Sequence, residues 1–280
     1  MKNLLVIISF VFLVGCTGQY SLWFPIIPVE EVFPIEEAFV EEYETPIIED
    51  YYKAESYIEE PDNELPQEVY IDEERKPMIA ITFDDGPGRY TNRILDILEE
   101  NGGRATFFVI GYRVEPHRDI ILRATELGNE IANHSWSHPR LPHINDEAIV
   151  EEILSASAAI EAVTGYSPPI MRPPFGRTSA GVRQIAEELG YVLVNWTIDT
   201  LDWQYRDADR IYSVIMNEVE DGAIILLHDI HTTTAAAMEK VIPRLVAEGF
   251  QLVTVSELLD YFYEGLESGQ VYGKLVEIDD

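Results

Sequence analysis

Between residues 77 and 262 the apolar positions switch repeatedly between two periods. Short β-branched and aromatic runs alternate with longer amphipathic stretches, the pattern of alternating strands and helices. Strands are predicted at Met78–Phe83, Ala105–Ile110, Glu130–Asn133, Ile170–Arg172, Tyr191–Trp196, Ala223–Leu227 and Gln251–Val255. Helices are predicted at Asn92–Asn101, Ile120–Leu127, Asp146–Thr164, Val182–Leu189, Ala208–Val219 and Ala235–Ala247, with Ser256 as the cap of a last one. The longest puts Ile149, Ile153, Ala156, Ile160 and Val163 on one face. Seven such units predict an α/β fold of parallel strands joined by right-handed crossovers. Closed on itself, this is a distorted (β/α)7-type barrel spanning residues 77–280.

The pattern stops upstream of that point. In residues 16–76 prolines 25, 28, 34, 46, 61 and 66 interrupt any long element, and Glu doublets recur at 30–31, 36–37, 41–42 and 59–60. Proline and like charge favour extended chain, so this stretch reads as an acidic tether. It also carries Trp23, Phe24, Ile26, Ile27, Phe33 and Phe39, more apolar residues than a solvated linker needs. Part of it is therefore expected to dock on the domain or on a partner. Residues 1–15 hold Lys2 and an apolar run from Leu4 to Val14, too short to span a bilayer and suited to an export signal. Leu13-Val14-Gly15-Cys16 resembles a bacterial lipobox, with lipid on Cys16. Cys16 is the only cysteine, so no intrachain disulfide is possible. The expectation is a protein exported and lipid-anchored at the outer face of the bacterial membrane, facing the cell wall.

Charge narrows the class of partner. The formal net charge is -32, and residues 17–76 hold 18 acidic against 3 basic side chains. With no basic patch to release counterions, nucleic acid is excluded as a partner. The acidity itself reads as a solubility feature. A monomer is expected.

The candidate chemistry sits where the predicted strands end. Ile79-Ala80-Ile81-Thr82-Phe83 runs into Asp84-Asp85, and two carboxylates that close repel unless a cation or a shared proton relieves them. His134 and His138, four apart, would face one point on a helical turn. One Asp with two His makes an open metal site. Arg172, Asp199 and His228 follow later strands, and β/α barrels gather such positions on one rim.

Five segments carry a resemblance. Thr82–Pro87, His134–Pro139, Arg172–Gly176, Asp199–Trp203 and Leu226–Asp229 resemble, in order, the motifs of the NodB-type polysaccharide deacetylases, carbohydrate esterase family 4. The segment around His228 is most similar to the peptidoglycan N-acetylglucosamine deacetylases. The resemblance implies Asp85, His134 and His138 as ligands of a divalent metal, Zn2+ first and Co2+ or another ion as alternatives. It implies Asp84 as general base, His228 as general acid kept protonated by Asp199, and Arg172 as the partner of Asp84. The Phe175 N–H would hold the oxyanion, and Trp203 and Leu226 would wall the acetyl pocket. Phe175 departs from the family, where many members carry Tyr. Asp202 and Asp229 are expected to support the site or its turns, and His231 to contact substrate or cap a helix.

The activity so implied is metal-dependent hydrolysis of the N-acetyl group of N-acetylglucosamine residues in cell-wall peptidoglycan. Alternatives are another glycan (N-acetylmuramic acid, chitin oligomers or poly-N-acetylglucosamine) or a non-catalytic glycan-binding lipoprotein.

Overall fold

Strand β1 (Met78–Asp84) alternates strictly between two environments. Ile79, Ile81 and Phe83 join the large cluster formed with the helices, while Ala80 belongs to a second cluster on the inner face of the sheet. Period-2 alternation then places Thr82 and Asp84 on that inner face too. The computed structural model that shows this describes residues 75–263, 265–274 and 276–277. The predicted signal, Cys16 and almost all of the tether lie outside the described residues.

In chain order there follow α1 (Thr91–Glu100), β2 (Thr106–Val109), α2 (Gly111–Val114), α3 (Arg118–Glu126), β3 (Glu130–Asn133), α4 (Asp146–Thr164), β4 (Ile170–Met171), β5 (Arg177–Thr178) and α5 (Ala180–Glu188). The chain continues through β6 (Val192–Val194), β7 (Ile198–Asp199), α6 (Asp202–Tyr205), α7 (Ala208–Glu218), β8 (Ile224–His228), α8 (Thr232–Ala247), β9 (Gln251–Val253), α9 (Val255–Phe262), β10 (Val271–Tyr272) and β11 (Val276–Glu277). The main sheet runs β10-β6-β4-β3-β2-β1-β8-β7 with every pair parallel. β9 pairs the first half of β1, opposite β8, and β2 takes over along the second half. Helices α1, α3, α7 and α8 pack on the outer face through Ile94, Leu98, Ile121, Ile211, Met238 and Leu245. Val255, Leu258 and Leu259 of α9 fill the inner cluster with Phe108, Ile170 and Val194.

One expectation about the strands changes. The predicted strand Tyr191–Trp196 ends at Val194, and the chain then crosses to form β7 at the far end of the sheet. Among the described residues no hydrogen-bonded pair joins β6 to β7. The fold is thus a curled, parallel-stranded half-barrel, in keeping with the expected distorted (β/α)7-type barrel, and residues 195–197 bridge its seam.

The helix ends follow their caps. Asn145, Ser179 and Asp207 accept backbone N–H groups at the starts of α4, α5 and α7. The last helix is capped by Thr254, not Ser256: Thr254 and Glu257 form a reciprocal capping box. Ser256 instead donates its hydroxyl to the half-buried Glu130 carboxylate. Helix α8 begins at Thr232, one turn before the predicted Ala235.

Candidate active site

The strand register builds the centre of the site. Asp84 and His228 are partners on β1 and β8, both at the C-terminal ends. Asp85, the next residue, would point to the outer face if the strand continued. It turns instead into the left-handed region at φ 70, which swings its carboxylate back over the same rim.

The two predicted histidines converge, but not on a helical turn. Residues 134–138 form a loop with Ser135 at φ 62 and His138 at φ 63. Asn133 Oδ1 accepts the Ser135 N–H, Ser135 Oγ accepts the His138 N–H, and Glu152 accepts from Ser137. These bonds replace helical ones and bring the His134 and His138 rings to 4.9 Å. His134 donates Nδ1–H to the Arg172 carbonyl at 2.7 Å, which leaves Nε2 as the lone-pair nitrogen. Burial pulls the His134 pKa down to about 3, so the ring is neutral.

Asp85 Oδ1 lies 3.6 Å from His134 Nε2 and 3.3 Å from His138 Nε2. It is buried and has no hydrogen-bond partner. One carboxylate oxygen and two imidazole nitrogens, mutually within 4.8 Å, fit a divalent cation with coordination positions to spare. The orphaned oxygen is the sign that this cluster is built for a ligand rather than for internal pairing.

Two ionised pairs flank the cluster. Arg172 is fully buried and spans the interior, donating to Asp84 Oδ1 and Thr82 Oγ1 at 2.7 Å each and to the carbonyls of Val194 and Asn195 at 3.0 Å. Its guanidinium stacks over Phe108 at 4.1 Å. Burial raises the Asp84 pKa above the usual carboxylate range, and Arg172 opposes that rise. On the other side, Asp202 Oδ1 accepts the His228 Nδ1–H at 2.7 Å, and Asp202 Oδ2 accepts the His228 backbone N–H and the Thr234 hydroxyl. Burial alone would lower the His228 pKa. The Asp202 hydrogen bond and charge, with Asp84 and Asp85 behind them, outweigh it and raise the value to about 9.

This corrects the expectation for Asp199. Its carboxylate accepts the Leu201 N–H rather than binding His228. Leu201 is left-handed at φ 52, and that reversal delivers Asp202 to the histidine. Asp202, expected only to support the site or its turns, takes the place expected of Asp199, and the turn between the two carboxylates decides it. His231 caps no helix through its side chain, and its Nδ1 accepts from Arg206 at 2.6 Å.

Asp84, Asp85, His134, His138, Phe175, Asp199, Trp203, Leu226 and His228 line one cavity of about 600 Å3, with Arg172 directly behind Asp84. Pattern reading did not anticipate Arg140, Arg177 and Trp196 on the same wall. Phe175 is left-handed at φ 62 and sets its half-exposed ring edge-on to His138 at 4.6 Å. The loop of Asp85 is braced from β8. A Cβ on Gly86 would lie 2.4 Å from the Asp229 carboxylate oxygens, and one on Gly88 would lie 2.9 Å from Ile230. Thr91 accepts the Gly88 N–H and donates to Asp229 Oδ2. Burial raises the Asp229 pKa to about 7.

With this geometry in hand, comparisons place the chain. A family model described as polysaccharide deacetylase matches residues 72–194. The chain is 38% identical over 213 residues to the peptidoglycan-N-acetylglucosamine deacetylase PgdA of Listeria monocytogenes, covering 74% of this chain and 44% of that one. It is 40% identical over 195 residues to the peptidoglycan-N-acetylmuramic acid deacetylase PdaC of Bacillus subtilis, covering 69% and 41%. The chain thus spans less than half the length of these two curated relatives. A solved structure described as T48 deacetylase with substrate superposes with TM-score 0.67 at 36% identity, covering 70% of this chain and 96% of that one.

Proposed function

The chain belongs to the polysaccharide deacetylase family, and on that premise we propose that it hydrolyses the N-acetyl group of N-acetylglucosamine residues in peptidoglycan, releasing acetate. The observation that carries the reading is Asp85 Oδ1, a buried oxygen without a partner, aimed at two imidazole nitrogens between an arginine-paired aspartate and an aspartate-paired histidine.

Asp85, His134 and His138 would hold a divalent cation, zinc first and cobalt as the alternative. The chemistry such an ion supplies when bound is Lewis acidity, which polarises a carbonyl and acidifies a water. Asp84 takes the proton from the attacking water. Its Oδ1 is held by Arg172, so Oδ2 is the oxygen free to accept. A carboxyl raised by burial is a stronger base than an exposed one, and Arg172 keeps it ionised. The Phe175 N–H is assigned to the oxyanion. As the C–N bond breaks, His228 gives its Nε2 proton to the departing amine, which cannot leave as an anion. Asp202 holds the imidazolium in place from Nδ1. Leu226 and Trp203 wall the space for the acetyl methyl. Water and amide are consumed, and acetate and amine are formed.

The name of the Bacillus subtilis relative favours N-acetylmuramic acid as the second candidate sugar. We place the protein at the outer face of the cell membrane, anchored through Cys16, on the strength of the Leu13–Cys16 pattern. The deciding experiment is acetate release from defined peptidoglycan fragments with metal-loaded and chelator-treated protein. Release from N-acetylglucosamine units that stops on chelation and returns with zinc is expected. Equal release by metal-free protein would sink the proposal.

A further inference from the structure

The mechanism leaves two guanidinium groups of the cavity unused. Arg140 and Arg177 line it beside Phe175 and the Asp85, His134 and His138 cluster. Cations are scarce in a chain of net charge -32, and many of those on its surface are paired: Arg93 with Glu239, Arg104 with Glu257, Arg123 with Asp96, Arg244 with Glu248. Neither Arg140 nor Arg177 makes an ion pair among the described residues. Other arginines also lack a carboxylate partner, but these two share the wall of the reaction cavity.

Their placement is structured. Arg140 lies over the Phe175 ring with its guanidinium carbon 5.4 Å from the centroid, and the same ring meets His138. The cation is therefore one aromatic ring away from the candidate metal cluster. Arg177 leaves the turn made by Phe175 at φ 62 and Gly176 at φ 66, and its backbone is fixed by pairing with β11. Gly176 is required there, because a Cβ would lie 2.6 Å from the Trp196 ring. Both cations thus flank Phe175.

A neutral acetylated sugar presents hydroxyls and an amide, and neither calls for two guanidinium groups. A carboxylate does, through charge-assisted and bidentate hydrogen bonds. The acidic remainder of the protein would repel such a substrate, so local cations are what an anionic glycan needs in order to enter.

We propose that Arg140 and Arg177 form a carboxylate-recognition site at the mouth of the reaction cavity, so that the favoured substrate carries a carboxylate close to the acetamide that is cleaved. This rests on the deacetylase reading above. The carboxylate has two possible sources, an acid substituent on a neighbouring sugar or the end of a peptide attached to it.

The test uses the full chain loaded with zinc and four oligosaccharides of equal length. One is all N-acetylglucosamine, one alternates with N-acetylmuramic acid bearing its free acid, one is the same with the acid amidated, and one carries a peptide on that acid. The free-acid or the peptide oligomer should exceed the neutral and amidated ones in kcat/KM by about tenfold, and whichever does so identifies the source. Arg140→Gln combined with Arg177→Gln should cut that ratio below about threefold, mainly through KM, as should high salt, which screens exposed charges. A variant damaged in folding would lose all four substrates together; in a variant that keeps its activity on the neutral oligomer, an intact ratio overturns the arginine site. Equal kcat/KM on the free-acid, peptide-bearing and amidated oligomers in the parent protein overturns it as well. If no oligomer releases acetate, the deacetylase reading fails by itself. Tryptophan fluorescence titration of the same oligomers then decides the arginine site, and equal affinity for the free-acid, peptide-bearing and amidated forms refutes it.

Discussion

Asp84 and His228 are register partners on adjacent parallel strands, and both side chains lie on the inner face of the sheet. The proposed base and the proposed acid are therefore spaced by backbone hydrogen bonds rather than by loops. Slippage of β8 by one residue would turn His228 to the helix side and separate the pair.

Asp84→Asn and Asp85→Asn should fail in different ways. Asp84→Asn keeps the shape and removes the base, so metal content should persist while turnover falls by roughly 10²–10⁴-fold. Asp85→Asn should lose metal and recover in part at high zinc. Metal analysis beside acetate release separates the two. Metal lost from Asp84→Asn and kept by Asp85→Asn would reverse the assignment.

Asp202→Asn should move the alkaline limb of the pH–rate profile. The His228 pKa stands at about 9, above its ordinary 6.5. Protonation of His228 therefore stabilises the fold fully below about pH 6.5, and that contribution is lost as pH rises through 9. The acid form of the catalyst persists over the same range. Without Asp202 the fall in rate should shift toward neutral pH, whereas Asp199→Asn should shift it much less. A larger shift from Asp199→Asn would restore that residue to the role first expected of it.

Arg172→Met should destabilise the fold by about 3–5 kcal/mol, because it leaves the buried Asp84 carboxylate without its partner. Adding Asp84→Leu should recover much of the loss. Urea midpoints of the parent, single and double variants check this, and a double variant as unstable as Arg172→Met would contradict it.

Asp229→Asn should change how stability depends on pH. A carboxyl raised to about 7 in the fold and ordinary, at 3.8, when unfolded contributes stability fully below pH 3.8, and that contribution is lost as pH rises through 7. The parent should therefore lose roughly 1.4 kcal/mol per pH unit relative to the variant across this window. A gap between the two proteins that stays constant from pH 4.5 to 7.5 rules this out.

Cys16→Ser should move the protein from the membrane fraction to a soluble one. Unchanged membrane retention would dismiss the lipid anchor.

Much of the scaffold was legible because burial imposes a period. The alternation through Ile79–Asp84 identifies β1, and the glycines after α1, α3 and α5 mark where helices stop. The rim residues were legible because polar side chains at the ends of buried strands are conspicuous. What escaped depends on single dihedral angles. Ser135 and His138 in left-handed conformations replace the expected helical turn, and Leu201 chooses Asp202 over Asp199. None of these residue types requires such a conformation. Arg140 and Arg177 were missed for a different reason: each is an ordinary surface arginine until the fold sets it on the cavity wall.

The contact of Gly86 and Gly88 with Asp229 and Ile230 has a practical consequence for redesign. Loop exchange is the usual way to retarget a β/α scaffold, and it treats each rim loop as a separate cassette. Here the first and last motif loops interlock without room for a methyl group. Residues 85–88 and 229–230 must be transplanted or randomised together, as one composite module, and 134–143 and 172–178 form a second one, joined by the His134–Arg172 hydrogen bond and the packing of His138 and Arg140 on Phe175.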